Sequence, residues 1–344
     1  MKNKIDIHDM RIGVIGAGSW GTALADLLAS KGYKTDLWVF ETEVKEQILA
    51  SGENRIFLPG ISLSANIIPT NDLAEAVSGK NLLLVVVPSH VMRETTQKFA
   101  EHVSPETVIV TASKGIENKT HLTMTGVLKE VFHDTPQRRF AVLSGPSFAR
   151  EVAQKVPTVV TAASMDQDVA EMVQHVFATP FFRVYTNNDV IGVEIGGAVK
   201  NVIAIASGVI EGLGLGLNTR AALITRGQTE IRRLGLKIGA NSRTFTGLSG
   251  IGDLILTCTG NLSRNYTVGI KIGQGMKLGE ILSEMRMVAE GVKTSKSVYN
   301  LSRKLNVEMP ISHEIYHILY DDLSPKEAVH RLMTRELRHE LDDA

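Results

Sequence analysis

The sequence is short of cysteine, of aromatic residues and of net charge. Cys258 is the only cysteine among 344 residues. That excludes an intrachain disulfide and any multi-cysteine metal site, and it fits a reducing compartment such as the cytoplasm. Basic and acidic side chains balance at 37 each. No basic field exists that would attract nucleic acid over a wide surface, although a local pocket for a small anion is allowed. The segment Met1–Arg11 mixes charged and apolar residues and lacks the apolar block of a secretory signal. The most apolar long stretch, Ile195–Ile210, is shorter than the ~20 residues of a membrane span and carries Lys200. It reads as a buried helix, with no membrane partner expected.

With 43% apolar residues, the chain can bury a substantial core, and its length suits two domains. The first half alternates short apolar runs with helical patterns. Strands are predicted at Arg11–Ile15, Lys34–Val39, Leu82–Val87, Val108–Thr111, Ala141–Ser144, Thr158–Ala162 and Arg183–Tyr185. Helices between strands require crossovers, hence a mostly parallel, doubly wound α/β sheet. Beyond about Ile191 the pattern turns helical, with apolar residues three and four apart. The expected division is a dinucleotide-binding Rossmann-like domain over 1–190 and an all-helical domain over 191–344. The acidic tail Glu340–Ala344 is expected to fray.

Gly16-Ala-Gly18-Ser19-Trp20-Gly21 follows an apolar strand and opens a helical run. In that context the glycines let the backbone approach a pyrophosphate, and the helix start offers unpaired N–H groups. Asp36 lies ~20 residues after the first glycine but inside the predicted strand. Glu41 stands at the strand's end, next to Phe40, which could pack on adenine. No arginine stands there to hold a 2′-phosphate, so the pattern leans towards NAD over NADP. The ordinary reading of the same residues is a core phenylalanine beside a solvated glutamate.

Lys200 is the only ionisable side chain between Glu194 and Glu211. An ammonium buried among Gly196, Gly197, Ala198, Val199, Val202 and Ile203 needs a partner or a task. Desolvation lowers its pKa, which suits proton transfer near neutrality. Gly196 and Gly197 permit another backbone or a ligand to approach one turn away. The competing reading is a structural, salt-bridged lysine. Lys114 follows a predicted strand, as do Gly145 and Ser147, which could also form a plain Gly-Pro turn. Gly247–Asp253 reads as a flexible run ending in a carboxylate that could hold Lys200 in place or accept from a hydroxyl. Ser263-Arg264-Asn265 offers three phosphate ligands in a row, in what is otherwise a surface loop. Cys258 has no base marked beside it and reads as a buried, inert thiol.

Taken together the sequence resembles the NAD(P)-dependent glycerol-3-phosphate dehydrogenases, close to the bacterial form. The likeness spans nearly the whole chain. It rests on the glycine fingerprint with Ser19-Trp20, Val86-Val-Pro-Ser-His90, Lys114-Gly, Ser144-Gly-Pro-Ser-Phe-Ala149 and Gly196-Gly-Ala-Val-Lys-Asn201. It continues through Ala222-Leu-Ile-Thr-Arg-Gly227, Gly252-Asp-Leu254, Leu256-Thr-Cys258, Ser263-Arg-Asn265, Val288-Ala-Glu290-Gly and Glu308-Met-Pro-Ile311. The resemblance implies reversible hydride transfer from NAD(P)H to dihydroxyacetone phosphate, giving sn-glycerol 3-phosphate, a precursor of glycerophospholipids. It implies a homodimer, and a site between a Rossmann-like and a helical domain. Carried over by position, Lys200 is the general acid–base. Lys114, Gly145, Ser147, Asp253, Ser263, Arg264 and Asn265 line the substrate. Ser19, Trp20, Phe40, Lys114, Ala149, Arg264, Val288 and Glu290 line the cofactor, with Gly16, Gly18 and Gly21 beneath it. Many bacterial members carry histidine or arginine in place of Phe40; here Trp38-Val-Phe-Glu41 looks more like the NAD-specific eukaryotic enzymes. A β-hydroxyacid or ketopantoate reductase is the alternative enzyme, and a non-catalytic nicotinamide sensor the alternative of another class. The phosphate-binding triplet favours a phosphorylated substrate over both.

Overall fold

The computed structural model describes residues 10–285 and 288–340. The stretch Met1–Asp9 and the tail from Leu341 lie outside them, and with them most of what was expected of the two termini. The chain divides into two compact units. One comprises the residues up to Ser113 together with Met124–Val190; the other joins Lys114–Thr123 to the residues from Ile191 onward.

The first unit carries one eight-stranded sheet: β1 (Ile12–Ile15), β2 (Thr35–Trp38), β3 (Ile67–Thr70), β4 (Leu82–Val85), β5 (Val108–Thr111), β6 (Phe140–Ser144), β7 (Thr158–Ser164) and β8 (Phe182–Asn187). Their order is β3-β2-β1-β4-β5-β6-β7-β8, and every pairing is parallel except β6 with β7. The central strands β1, β4 and β5 are buried at every residue, which is why they are apolar without alternation. β3 was missing from the expectation. Its sequence, Ile-Ile-Pro-Thr, contains Pro69, which argues against a strand. Here it forms the outer edge, where only β2 need pair with it.

The strand order reverses between β1 and β4. Ligands in such sheets bind beyond the carboxyl ends of the strands at that reversal. Gly16 leaves β1 there with φ of 115°, and a β-carbon on it would stand 2.8 Å from the carbonyl oxygen of Val86, just beyond β4. The helix Ser19–Ser30 then begins at once, with Gly18 as its N-cap.

The second unit is helical and is built around the helix Val190–Gly212. Its 23 residues extend past the apolar block at both ends, long and apolar enough to cross a bilayer, yet 94% of its most apolar window is buried within the protein. Gly208 and Gly212 face Gly269 and Gly273 of the helix Arg264–Gly273, backbone against backbone. Side chains at those four positions would force the two helices apart. The contact therefore fixes where the N-terminus of the second helix lies relative to Lys200.

The run Gly247–Asp253 is not a flexible loop. A 3-10 turn at Ser242–Thr246 passes into a π-turn at Leu248–Gly252, and the helix Asp253–Thr259 follows directly. The glycines permit this tight path instead of leaving it loose. Ser263-Arg264-Asn265 is likewise a helix start and not a loop, with Ser263 accepting from the N–H of Tyr266 as its cap.

Candidate functional site

In the second unit, three of the expected side chains meet. Lys200 is buried at 5% exposure. Its Nζ donates to Oδ1 of Asp253 and, at 2.7 Å, to Oγ1 of Thr257. The other carboxylate oxygen of Asp253, Oδ2, accepts from Nζ of Lys114 at 2.7 Å. One buried carboxylate thus bridges two amines. Local sequence makes this possible. The carbonyl of Ser249 lies where a β-carbon on Gly196 would sit, so the π-turn rides directly on the helix one turn before Lys200. That approach brings Asp253 opposite the lysine.

Burial is the largest influence on Lys200 and lowers its pKa from 10.5 to about 7; the Asp253 charge works against this, and Lys114 adds to it. The group therefore exchanges its proton near neutrality. Thr257 was not anticipated. It lies four residues after Asp253 on one helix face, and its hydroxyl donates back to the Asp253 carbonyl at 2.7 Å. The i, i+4 spacing would have revealed it had Asp253–Thr259 been read as a helix. Cys258 is buried, and burial pushes its thiol up to about 12, which keeps it inert at neutral pH.

A second network begins beside Lys200. Oδ1 of Asn201 accepts from Nδ2 of Asn265 at 2.9 Å, and Oδ1 of Asn265 accepts from the N–H of Gly291 at 2.9 Å. Asn265 therefore ties three helix segments together and retains one N–H of its amide beyond those bonds. Ser263 is buried, and its oxygen is taken by the cap, leaving the hydroxyl proton to donate. Arg264 reaches the surface. Desolvation lowers its pKa, and the charge of Glu290 opposes that effect. Glu290 opens the helix Glu290–Leu305, and Val288, two residues earlier, is partly exposed.

In the first unit the remaining expected residues gather at the carboxyl edge of the sheet. Gly16, Gly18, Ser19, Trp20 and Gly21 follow β1, Phe40 follows β2, and Gly145, Ser147 and Ala149 follow β6. A β-carbon on Gly21 would collide with the Gly16 carbonyl, so this glycine serves helix–strand packing. A β-carbon on Gly18 would meet nothing within 4 Å. No protein atom requires glycine there, whereas a pyrophosphate approaching the helix start would. The residues thus fit a dinucleotide. No acidic residue occupies the first turn of that helix, which leaves its positive end available to an anion. The Ser19 hydroxyl donates to the Phe57 carbonyl at 2.6 Å. Gly145 has φ of 146°, and the Ser147 hydroxyl donates to the Gly145 carbonyl at 3.0 Å. Asp36 is engaged elsewhere, accepting from Lys80 at 2.5 Å.

Comparison with known proteins adds the following. The profile described as NAD-dependent glycerol-3-phosphate dehydrogenase N-terminus matches residues 11–170, and the one described as its C-terminus matches residues 189–330. A glycerol-3-phosphate dehydrogenase [NAD(P)+] of Geobacter sulfurreducens is 58% identical over 330 residues, covering 96% of this chain and 98% of its own. One from Syntrophobacter fumaroxidans is 55% identical, covering 96% and 97%. The crystal structure of glycerol-3-phosphate dehydrogenase from Coxiella burnetii superposes with a TM-score of 0.92 at 39% identity, covering 95% of this chain and all of that one. Ketopantoate reductase of Ralstonia eutropha, at 14% identity and a TM-score of 0.56, shares the fold alone. On both sequence and structure, the chain belongs to the NAD-dependent glycerol-3-phosphate dehydrogenase family.

Proposed function

We propose that this protein interconverts dihydroxyacetone phosphate and sn-glycerol 3-phosphate with NAD(H) or NADP(H), supplying a precursor of glycerophospholipids. The observation that carries the reading is the cluster of buried Lys200 and Asp253 with the partly buried Lys114, since a proton donor poised near neutrality beside a second ammonium is what carbonyl reduction requires.

When bound, the nicotinamide supplies the hydride. The Lys200 ammonium donates its proton to the oxygen that becomes the C2 hydroxyl, and in the reverse direction the neutral amine removes it. Asp253 holds Lys200 in place, and Lys114 adds positive charge where the alkoxide develops. Arg264 grips the phosphate through its planar fork, with donors from Ser263, Asn265, Gly145 and Ser147. For the dinucleotide, the reading assigns Gly16, Gly18 and Gly21 to the pyrophosphate turn, and Ser19, Trp20, Phe40, Lys114, Ala149, Arg264, Val288 and Glu290 to the cofactor's flanks. It assigns dinucleotide binding to residues 1–190 and substrate binding to residues 191–344, with Lys114 acting alongside the latter. A cytoplasmic homodimer with only small-molecule substrates completes the proposal; light scattering tests its mass.

The deciding experiment replaces Lys200. Lys200→Ala is expected to abolish NADH oxidation with dihydroxyacetone phosphate while NADH still quenches tryptophan fluorescence. Turnover near that of the unaltered protein would refute the assignment. Equal turnover with the unphosphorylated ketone would favour a reductase of unphosphorylated substrates.

A further inference from the structure

The segment Lys114–Thr123, soon after β5, belongs to the helical unit although the chain before and after it belongs to the other. It folds back on itself as a short hairpin. Ile116 bridges Thr123 in antiparallel fashion, the Glu117 N–H donates to the Leu122 carbonyl at 2.9 Å, and His121 turns the chain with φ of 63°. Lys114, its first residue, is the one that reaches Asp253. Ile116, two residues on, is 2% exposed and packs into the apolar core of the helical unit.

The hairpin lies along the helix Glu290–Leu305, which carries the buried hydroxyls of Ser295, Ser297 and Ser302. A serine inside a helix commonly donates to a carbonyl three or four residues back. Ser295 does so to Val292 at 2.8 Å, and Ser302 to Tyr299 at 3.0 Å. Ser297 differs: its hydroxyl leaves its own helix and donates to the Ile116 carbonyl at 2.8 Å. Four residues earlier on the same helix, the Lys293 carbonyl accepts from the Asn118 amide at 3.5 Å. At the first turn of the helix, the Gly291 N–H is given to Asn265. One helix thus sets the hairpin in register with the Asn201–Asn265 network. Ile116 and Lys114 are joined by a link that spans about 7 Å at full stretch, so holding the Ile116 carbonyl limits where the lysine backbone can lie.

We propose that Ser297 is a positioning residue for Lys114, its buried hydroxyl fixing the hairpin so that the amine stays on Asp253. The inference rests on the reading that Lys114 serves the reaction from that place. Burial lowers the Lys200 pKa most; of the charges acting on it, Asp253, from the helix Asp253–Thr259, raises it and Lys114, from the hairpin, lowers it. Release of the hairpin lets the Lys114 amine withdraw. Less positive charge then meets the developing alkoxide, and Lys200 keeps its proton to higher pH.

The test is a double-mutant cycle between Ser297→Ala and Lys114→Ala in the full-length protein. Ser297→Ala should lower kcat with dihydroxyacetone phosphate by roughly 10-fold or more, on the scale that small misplacements of a catalytic group reach. The limb of kcat/KM for glycerol 3-phosphate should move to higher pH. Added to Lys114→Ala, the same change should lower kcat by no more than about 2-fold further, because the serine acts through the lysine. Ser297→Cys, which keeps the volume but donates weakly, should fall between serine and alanine. Parental kcat and pH limb in Ser297→Ala would overturn the inference. So would an equal loss with and without Lys114, which marks a merely structural serine, and so would a cysteine variant indistinguishable from the parent. Parental turnover in Lys114→Ala alone would instead overturn the reading of Lys114 beneath it.

Discussion

Gly196 and Ser249 stand so close that a β-carbon on the glycine would overlap the serine carbonyl oxygen. The contact joins the helix Val190–Gly212 to the π-turn that precedes Asp253, one helical turn from Lys200. Gly196→Ala should push the two apart. We expect a loss of about 1–3 kcal/mol in stability, typical of overpacking. Turnover should fall as well, because Lys200 and Asp253 separate. Thermal unfolding and kcat, measured together, check this; a variant unaltered in both would show that the contact does not position the lysine.

The proton exchange of Lys200 sets opposite pH limbs for the two directions. With its pKa lowered to about 7, the ammonium needed for reduction is depleted above neutrality, and the amine needed for oxidation is depleted below it. The limb of kcat/KM should fall with rising pH for dihydroxyacetone phosphate and rise for glycerol 3-phosphate. Stability follows the same shift. Between about 7 and 10.5 the unfolded chain holds this proton and the folded chain does not, so Lys200's contribution to stability increases as pH rises through that window.

Asp253→Asn removes the charge that raises the Lys200 pKa and leaves two amines facing each other. The oxidation limb should move to lower pH, and kcat should drop by roughly 10²-fold or more, in line with the loss of one positioned acid–base or electrostatic partner. A pH profile centred where it was before would show that the carboxylate does not tune the lysine.

Gly16 and Gly18 should separate by readout. Gly16→Ala, at φ of 115° and 2.8 Å from the Val86 carbonyl, is expected to cost stability. Gly18→Ala meets no protein atom within 4 Å and should unfold like the parent while binding NADH more weakly. Undiminished NADH affinity in Gly18→Ala would remove the reason for placing a pyrophosphate there.

Glu230 is a structural counterpart to Lys200. Its carboxylate accepts from the N–H of Ile311 at 2.6 Å, the N–H of Ser312 at 3.0 Å and the Ser312 hydroxyl at 2.8 Å, closing the start of the helix Pro310–Tyr320. Burial raises its pKa to about 7 against the pull of those bonds. From 4.5 to about 7 the folded chain holds the proton that the unfolded chain has lost, so Glu230's contribution to stability decreases as pH rises through that range. Glu230→Ala should cost at least about 3 kcal/mol, since three donors lose their acceptor. Denaturant titration at pH 5 and pH 8 measures both effects.

The sequence by itself determined the parts that obey local rules. A fingerprint between an apolar run and a helical one, and a single lysine in an apolar helix, are legible because backbone conformation and the cost of burying charge act over a few residues. Local pattern failed at β3, where Pro69 hid an edge strand, and at Gly247–Asp253, where glycine served tight turning instead of mobility. Only the tertiary structure decided the partners. Lys114 and Asp253 are 139 residues apart, Asn201 and Asn265 are 64 apart, and Asp36 and Lys80 are 44 apart. Such pairings depend on which backbones pack together, and that is set by the summed fit of helices and strands far apart in the chain, which no short window of residues encodes.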